Sequence, residues 1–330
     1  MTSESQIIDW IRKRAAGGPR VRVGIGDDAA VLEVAGNRDL IACCDLVVEG
    51  VHFRTDWSPP SCIGYKALAA AVSDVAAMGG LAKFALMSFA VPSGLPEAFL
   101  TELLDGMRNA ADEYEVTLVG GDTSASPSGL FIDVTILGEC SRGMAVTRSG
   151  AKPGDLVLVS GSLGAAELGL ELLKSGLRIE SAVSELQMEA IGKHLQPEPR
   201  VALGRAIGEL GLATAMIDIS DGLSTDITHL LDESGCGATL RARDIPVAEC
   251  ATALAPGLGL DPLALALNGG EEYELLFAVK PETVDRINEL AGSLGETVSV
   301  IGEMRSERGL VVERDGAIES LGPGGFEHRL

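Results

Sequence analysis

The sequence predicts an α/β protein built from two domains. Its 330 residues are more than one hydrophobic core usually serves. Hydrophobic residues make up 46% of the chain and aromatic residues only 4%, so Ala, Val, Leu and Ile must build cores of layered helices and sheets. A polar segment at residues 147–155, rich in glycine and proline signals, separates two regular regions. We therefore expect one domain over residues 1–150 and a second over residues 151–330.

In the first half, helix and strand signals alternate. Ser3 and Gln6 have capping-box spacing ahead of a helix that should end near residue 17. Prolines in a first turn and a Gly79-Gly80 stop delimit a second helix that includes residues 65–78. The remaining patterns predict a helix over 96–114 and strands over 29–34, 40–48, 81–91, 116–119 and 130–139.

The second half continues the same alternation beyond the polar segment. Apolar residues at helical spacing predict helices over 164–173, 183–194, 200–210, 223–231 and 281–290. Short apolar runs predict strands over 156–159, 213–218, 273–279 and 298–301. Each half therefore has enough strands for a sheet of its own.

Charge and cysteine content exclude several classes of partner. The 48 acidic and 26 basic residues give a net charge of -22, which repels nucleic acid and anionic membranes. The six cysteines show no Cys-x-x-Cys spacing, so we expect reduced thiols rather than disulfides. No apolar run approaches the roughly 20 residues that span a bilayer, and the first residues are polar. We expect a soluble, unprocessed, cytoplasmic protein.

The candidate site consists of aspartates placed beside glycines or small residues along the chain. Glycine allows a tight turn with a free carboxylate, and several such turns brought together would form a cage of oxygen ligands suited to Mg²⁺. No Walker A loop or dinucleotide fingerprint is present, so phosphate would be bound through metal ions. The motifs are Gly24-Ile25-Gly26-Asp27-Asp28, Cys43-Cys44-Asp45, Ser73-Asp74, Gly120-Gly121-Asp122-Thr123 and Asp218-Ile219-Ser220-Asp221-Gly222.

Each of these motifs also has a purely structural interpretation. Asp74 lies in an apolar helix, where its carboxylate needs either a metal ion or a salt bridge with Arg or Lys. The Asp27-Asp28 pair could form an ordinary Asx-turn, and Ser220 or Asp221 could cap the next helix. No arrangement of Ser, Cys or His indicates a covalent nucleophile.

Taken in order, the motifs resemble those of the thiamine-monophosphate kinase family, from about residue 5 to the C-terminus. The resemblance extends to Tyr65-Lys66-Ala67-Leu68-Ala69, the segment 147–155 and Gly269-Gly270-Glu271-Glu272-Tyr273. It implies a two-domain PurM-like α/β fold, shared with aminoimidazole ribonucleotide synthetase and selenophosphate synthetase, whose N-terminal sheet pairs across a homodimer. It also implies transfer of the γ-phosphoryl group of ATP to thiamine monophosphate, giving thiamine diphosphate and ADP.

The resemblance assigns roles to individual positions. Several Mg²⁺ ions would be held by Asp28, Asp45, Asp74, Asp122, Asp218 and Asp221, with Asp27 a weaker candidate and K⁺ left open as a further cation. Cys43 and Cys44, which replace a Ser-Thr pair of the family, are further metal candidates; the hydroxyl ligand is lost, and a backbone carbonyl could still serve there. ATP would contact Gly121, Asp122, Arg148 and Ser220. Thiamine monophosphate would meet His52, Glu271 and the region of Pro323, where the family often has an aromatic residue and this chain has Phe326 nearby.

The chemistry agrees with a site that lacks a general base. A phosphate monoester has a second pKa near ~6, so the accepting oxygen is already anionic at neutral pH. Positioning and metal charge then do most of the catalysis. Two alternatives stay open at this point, a synthetase related to selenophosphate synthetase and a structural calcium module. The first would carry a reactive N-terminal Cys, and the second would concentrate its ligands within about a dozen residues rather than from Asp28 to Asp221.

Overall fold

A computed structural model describes residues 21–23, 27–34 and 36–328 of the chain. The helix expected before residue 17 and the glycines of the first aspartate motif, Gly24 and Gly26, lie outside these residues.

The N-terminal half forms a six-stranded sheet in the order β1-β2-β3-β6-β4-β5. All neighbours pair antiparallel except β4 and β5, which are parallel. Helices α1 (Pro60–Ala77) and α2 (Glu97–Glu113) pack against each other and bury a common core with the sheet. The strands are β1 (Val21–Val23), β2 (Ala30–Glu33), β3 (Arg38–Val48), β4 (Leu81–Pro92), β5 (Thr117–Ser126) and β6 (Phe131–Ser141).

The C-terminal half forms a seven-stranded sheet in the order β13-β12-β9-β11-β7-β10-β8. Its strands are β7 (Leu156–Ser160), β8 (Ala213–Asp218), β9 (Gly237–Arg241), β10 (Leu275–Val279), β11 (Val298–Arg305), β12 (Gly309–Arg314) and β13 (Ala317–Leu321). Its helices are α3 (Ala165–Lys174), α4 (Glu185–Leu195), α5 (Val201–Leu210), α6 (Leu223–Ser234), α7 (Glu249–Leu254), α8 (Pro262–Asn268) and α9 (Val284–Ser293).

Helix α1 joins the two halves. It is buried on nearly every side, because it packs on the N-terminal sheet and also against α5 and β8 of the C-terminal half. Glycines make the approach to α5 possible, since a Cβ on Gly208 would lie 2.7 Å from the Cα of Gly79. This position explains a helix that is apolar all round and places the few polar groups it carries, such as Asp74, between the two halves.

Within the described residues every helix and strand predicted from the sequence forms, with ends shifted by a few residues. One end was wrong: the strand expected to stop at residue 119 continues as β5 to Ser126, so Gly120-Gly121-Asp122 lies in a strand rather than in a turn. Pairing with β4 accommodates the glycines through a register shift between Ala85 and Leu86. The sequence missed the short elements β1, β9, β12, β13, α7 and α8.

No single helix among the described residues is both long and apolar enough to cross a membrane. One bent pair, Glu249–Leu258 with Pro262–Asn268, meets that criterion only when its two pieces are counted together.

Candidate active site

A cavity of about 950 Å³ lies where the two halves meet. The N-terminal half contributes Asp45 and the segment 50–54, and α1 adds Asp74. The C-terminal half contributes most of the remaining wall, namely Glu167, His194, Asp218, Ser220, Asp221, Asn268, Glu271, Tyr273, Phe326 and His328. Neither half alone forms this site, because each supplies part of the cavity wall.

Three of the predicted aspartates form a tight cluster. Asp28 follows the first glycine motif, Asp74 lies in α1 and Asp218 ends β8, yet one carboxylate oxygen from each lies within 4.8 Å of the others. Asp74 and Asp218 line the cavity, whereas Asp28 is buried. The hydroxyl of Ser73 fixes one member, because it donates a hydrogen bond of 2.6 Å to Oδ2 of Asp218.

The pKa values of Asp74 and Asp218 show that burial and mutual repulsion outweigh the positive charge that reaches them. Burial, together with the charges of Asp218, Asp45 and Asp28, raises the pKa of Asp74 well above its usual range. Burial and the charge of Asp28 raise the pKa of Asp218 to about 8. Among the described residues no Lys or Arg lies within ion-pair distance of Asp74, so none of them provides the salt bridge considered for this residue. Three hard oxygen donors that repel one another fit a divalent cation.

Arg148 meets the cluster from the segment between the two sheets. Its guanidinium donates to both oxygens of Asp28, at 3.0 and 2.9 Å, and its backbone N–H donates to the carboxylate of Asp27 at 3.1 Å. The carboxylate of Asp27 also accepts the N–H of Asp28 at 3.1 Å. Burial and the neighbouring Asp28 raise the pKa of Asp27 to about 7.

The two cysteines of β3 differ in burial, because successive side chains of a strand face opposite sides of the sheet. Cys43 is buried and its thiol donates to the carbonyl of Ala71 at 3.4 Å, whereas Cys44 is exposed. Burial and the charges of Asp74 and Asp45 raise the pKa of Cys43, which keeps it a neutral thiol. Asp45, the next residue, lines the cavity, and burial together with the charge of Glu271 raises its pKa to about 6.

Two loops are joined by backbone hydrogen bonds at the cavity wall. The N–H of Glu271 donates to the carbonyl of Ser220 at 2.7 Å, and that of Tyr273 to Ile219 at 2.8 Å. Gly222 makes the close approach possible, because its φ is +113° and a Cβ there would lie 2.8 Å from the carbonyl oxygen of Asn268.

The helix-capping interpretation of Ser220 and Asp221 is wrong. Gly222 occupies the N-cap position of α6 and provides no side-chain cap. The buried carboxylate of Asp226 instead accepts the N–H groups of Asp221 and Gly222, at 3.1 and 2.9 Å. Ser220 and Asp221 lie at the cavity wall.

Glu271 is held by two groups that the sequence did not single out. Lys66 Nζ lies 2.6 Å from its Oε1, and His194 Nδ1 lies 3.1 Å from its Oε2. Burial opposes the charge of Glu271, but Lys66 and His194 outweigh it and lower the pKa to about 2. The backbone of Glu271 has a φ of 61°, a left-handed conformation uncommon for a residue with a side chain. Lys66 also donates to the carbonyl of His52 at 3.2 Å.

An aromatic group closes one side of the cavity. The ring of His328 lies 5.3 Å from that of His52 and 4.8 Å from that of Phe326. Backbone hydrogen bonds hold this C-terminal segment, from Gly324 to Ser224 Oγ at 3.1 Å and from Phe326 to the Asp221 carbonyl at 3.0 Å. Pro323 is not among the residues that line the cavity, so the aromatic cover comes from Phe326, three residues later.

Gly121 and Asp122 lie apart from the cavity wall. Both are exposed residues of the edge strand β5, and the carboxylate of Asp122 accepts the N–H of the next residue at 2.9 Å. Gly121 passes so close to the backbone of Met87 that no side chain would fit there. Within one chain, the cavity and the acidic cluster therefore form without these two residues.

Two family models and several relatives match the chain. Residues 26–140 match AIR synthase related protein, N-terminal domain, and residues 152–315 match AIR synthase related protein, C-terminal domain. Thiamine-monophosphate kinase of Bacillus subtilis (strain 168) is 35% identical over 327 residues, which cover 98% of this chain and 99% of the relative. This chain belongs to the thiamine-monophosphate kinase family. The family member from Escherichia coli (strain K12) is 36% identical over 312 residues, covering 93% of this chain and 92% of the relative.

The fold of the family is confirmed by a solved structure. The structure of AaThiL complexed with AMPPCP and TMP is 33% identical and superimposes with a TM-score of 0.87, covering 99% of this chain and 97% of that chain. The two-domain PurM-like α/β fold and the family expected from the sequence are thus both confirmed.

The thiamine-monophosphate kinase motifs did not reveal every residue of the site. Lys66 lies within one of these motifs. A lysine inside an apolar helix needs an acidic partner, and this signal could have indicated that Lys66 is buried in an ion pair. His194, Glu167 and Asn268 lie in ordinary helical patterns that give no such signal. Trp57 also lines the cavity, with the guanidinium of Arg54 4.8 Å from the centre of its ring.

Proposed function

We propose that this protein is a thiamine-monophosphate kinase that transfers the γ-phosphoryl group of ATP to thiamine monophosphate. The observation that carries the proposal is the cluster of Asp28, Asp74 and Asp218, which opens into a cavity shared by both halves. The cavity is large enough for a heteroaromatic phosphate ester together with the phosphates of a nucleotide. The family relationship supplies the reaction, and the product is thiamine diphosphate, the end of its biosynthetic route.

Asp28, Asp45, Asp74, Asp218 and Asp221 are the residues that would hold Mg²⁺. Their carboxylates are the hard oxygen donors that this ion prefers, and a single cation, Arg148, faces the three clustered aspartates among the described residues. Bound Mg²⁺ would supply the positive charge that lets two anionic phosphates approach. A backbone carbonyl of Cys43 or Cys44 would add a further oxygen donor beside Asp45.

The remaining residues bind and orient the substrates. Arg148 and Ser220 would contact the nucleotide phosphates, and Arg148 is already aligned by its two hydrogen bonds to Asp28. His52, Glu271 and Phe326 would surround the ring system of thiamine monophosphate, with Phe326 in the place we had expected near Pro323. No residue need act as a general base, because the accepting phosphate oxygen is anionic at neutral pH.

We also propose a homodimer formed through the N-terminal sheet. The face of this sheet away from α1 exposes large apolar side chains, Leu46, Phe84, Leu86 and Val119 among them. Gly121 and Asp122 lie on the edge strand β5, apart from the cavity of their own chain. In a dimer, these two residues of one copy would complete the nucleotide site of the other copy. The domain boundary would fall near residue 150, within the segment between β6 and β7 that has no helix or strand.

The test is product analysis by mass spectrometry with ATP, Mg²⁺ and thiamine monophosphate, and with free thiamine as a parallel acceptor. We expect thiamine diphosphate and ADP in equal amounts from the monophosphate alone. Folded protein with Mg²⁺ that forms neither product would contradict the proposal. ATP and Mg²⁺ together should raise the melting temperature more than the sum of their separate effects, since both belong to one site.

A further inference from the structure

We infer that Lys66 is a positioning residue that makes Glu271 a hydrogen-bond acceptor for the aminopyrimidine ring of thiamine monophosphate, rather than a counter-ion for its thiazolium ring. The inference rests on the proposed function and specifies which part of the substrate this end of the cavity recognises.

The ion pair between Lys66 and Glu271 is the first observation. The ammonium of Lys66 lies 2.6 Å from Oε1 of Glu271, and the lysine side chain is only 5% exposed. Burial of the ammonium keeps the two charges together, because Lys66 has little access to water as an alternative partner. A substrate cation near Glu271 would therefore meet a neutral pair, and attraction to the glutamate would be offset by repulsion from the lysine.

His194 adds no charge to this pair. Burial and the neighbouring Lys66 lower the pKa of His194, so its imidazole is neutral at pH 7. Since a carboxylate can only accept, the contact of 3.1 Å means that Nδ1–H of His194 donates to Oε2 of Glu271. Each carboxylate oxygen of Glu271 thus has one fixed donor and retains lone pairs for another.

Lys66 connects the two residues that face the substrate. The same Nζ that binds Glu271 donates to the backbone carbonyl of His52 at 3.2 Å. His52 Nδ1 in turn accepts the N–H of Val48 at 3.0 Å, which fixes its ring against His328. One buried ammonium therefore sets the spacing between His52 and Glu271, which belong to different halves of the molecule.

Glu271 is accessible to a ligand despite these contacts. Its side chain is 20% exposed, and it lines the cavity together with apolar and aromatic groups. The substrate group that suits an acceptor with fixed lone pairs is an N–H donor. Thiamine monophosphate carries such a donor in the exocyclic amino group of its pyrimidine. A buried acceptor that loses this donor discriminates strongly, because its lone pair is then left without a partner.

The experiment compares three acceptors on the full chain at saturating ATP and Mg²⁺. They are thiamine monophosphate, its analogue with oxygen in place of the pyrimidine amino group, and its analogue with a neutral thiophene in place of the thiazolium. For the wild type we expect kcat/KM to fall at least about tenfold with the oxygen analogue. We expect a change of no more than about threefold with the neutral-ring analogue.

The substitution Lys66→Met separates positioning from a merely structural role. It leaves the charge of Glu271 unpaired, so the preference for the cationic ring over the neutral ring should rise to about tenfold or more. The KM for thiamine monophosphate should rise as well, while the KM for ATP stays within about threefold. Lys66→Arg should show part of the wild-type pattern, since the guanidinium supplies the positive charge but does not place it at the position of the ammonium. Lys280→Met, which removes an exposed lysine after β10, is the matched control and should match the wild type.

Glu271→Gln tests the same point without touching the buried lysine. The amide keeps an accepting oxygen but leaves the charge of Lys66 unpaired, so the cationic ring should become less favoured, relative to the neutral ring, than it is in the wild type. A wild-type preference of tenfold or more for the cationic ring that Glu271→Gln abolishes would overturn the inference. Equal kcat/KM for thiamine monophosphate and the oxygen analogue would overturn it as well. Wild-type protein that phosphorylates none of the three acceptors would instead refute the proposed function itself.

Discussion

The charged carboxylate of Asp74 lowers the stability of the fold, but it lies where a metal ion would bind. Its carboxyl lies at the wall of the cavity, close to Asp28 and Asp218, and no basic side chain among the described residues pairs with it. The raised pKa expresses a free-energy penalty for its charged form. A protein selected for stability alone would not keep such a group, so the penalty belongs to binding and catalysis.

Replacing this residue should separate activity from stability. We expect Asp74→Asn to lower kcat/KM for thiamine monophosphate by at least about two orders of magnitude, because a metal ligand is lost. The metal-free variant should unfold at no lower temperature than the wild type at pH 8, since the repulsion is removed. Steady-state kinetics and calorimetry measure the two effects.

Asp105→Asn, on the exposed side of α2, is the control for removal of one aspartate charge. It should leave both quantities unchanged. Near-normal turnover by Asp74→Asn would remove Asp74 from the metal site.

Glu272 gives a prediction about pH. Its Oε1 accepts the N–H groups of Gly164 and Ala166, at 2.7 and 3.2 Å, and burial raises its pKa to about 8. The usual pKa of a glutamate is 4.5. Between pH 4.5 and about 8, Glu272 is therefore protonated in the folded state and ionised in the unfolded state. Because the folded form binds more protons, this residue makes the free energy of unfolding fall as pH rises through that window.

The substitution Glu272→Gln should remove this contribution. The amide oxygen can still accept both N–H groups, so the fold should persist. In the wild type, Glu272 should make the free energy of unfolding fall with pH by at most about 1.4 kcal/mol per pH unit, and this part of the fall should be absent in the variant. Urea unfolding at pH 5, 6, 7 and 8 measures it. Parallel pH profiles for the two proteins would show that Glu272 is ionised throughout.

The sequence draws attention to residues whose type is costly in its surroundings. Asp74 stood out because a carboxylate in an apolar helix needs a cation, and the structure places it beside Asp28 and Asp218. His194 did not stand out, since its role depends on Glu271, which is 77 positions away along the chain and reaches it only through folding. The sequence did not distinguish Pro323 from Phe326, because the hydrogen bonds of Gly324 to Ser224 and of Phe326 to Asp221 that fix this segment join residues about 100 positions apart.

At the scale of elements, the loops at residues 218–222 and 269–273 depend on glycine. Gly222 has a positive φ and no room for a methyl group beside Asn268. We expect Gly222→Ala to reduce the free energy of unfolding by about 1–3 kcal/mol and to weaken substrate binding, because both backbone strain and a clash are introduced. Urea denaturation and the KM for thiamine monophosphate report these effects.

Gly176→Ala is the matched control for backbone strain. Gly176 has a φ of +98° and open space around its Cα, so the alanine introduces strain without a clash. It should cost about 1 kcal/mol and leave the KM unchanged. If Gly222→Ala lowers the free energy of unfolding no more than Gly176→Ala does, the two loops can move apart to accept the methyl group at little cost.

Elements were more predictable than their pairing. Hydrophobic period and breakers located α1, α2 and β4 because those signals are local in the chain. The extension of β5 through Gly120 and Gly121 was not visible, since glycine is a poor strand former and only the neighbouring β4 makes the extended backbone favourable. Short strands such as β9 and β12 lacked enough residues to show a period.

At the scale of the whole molecule, the open face of the N-terminal sheet predicts the oligomeric state. Phe84 on β4 is 47% exposed, and Val119 on the adjacent strand β5 is 53% exposed. We expect the wild type to have twice the mass of one chain by light scattering. Phe84→Glu should shift the protein to the monomer, because a buried unpaired charge would oppose association.

Ile318→Glu is the control on a different surface, since Ile318 is 69% exposed on β13 of the other sheet. It should leave the mass unchanged. A wild type that is monomeric at micromolar concentration, or a Phe84→Glu variant that remains dimeric, would exclude this interface.

The buried ion pair between Lys66 and Glu271 has a consequence for how this family diverges. The two residues come from opposite halves of the molecule, and either one alone would leave an uncompensated charge inside the protein. Homologues should therefore change these positions together or not at all. A chimera that joins the first half of one homologue to the second half of another should be viable only when both parents carry a compatible pair.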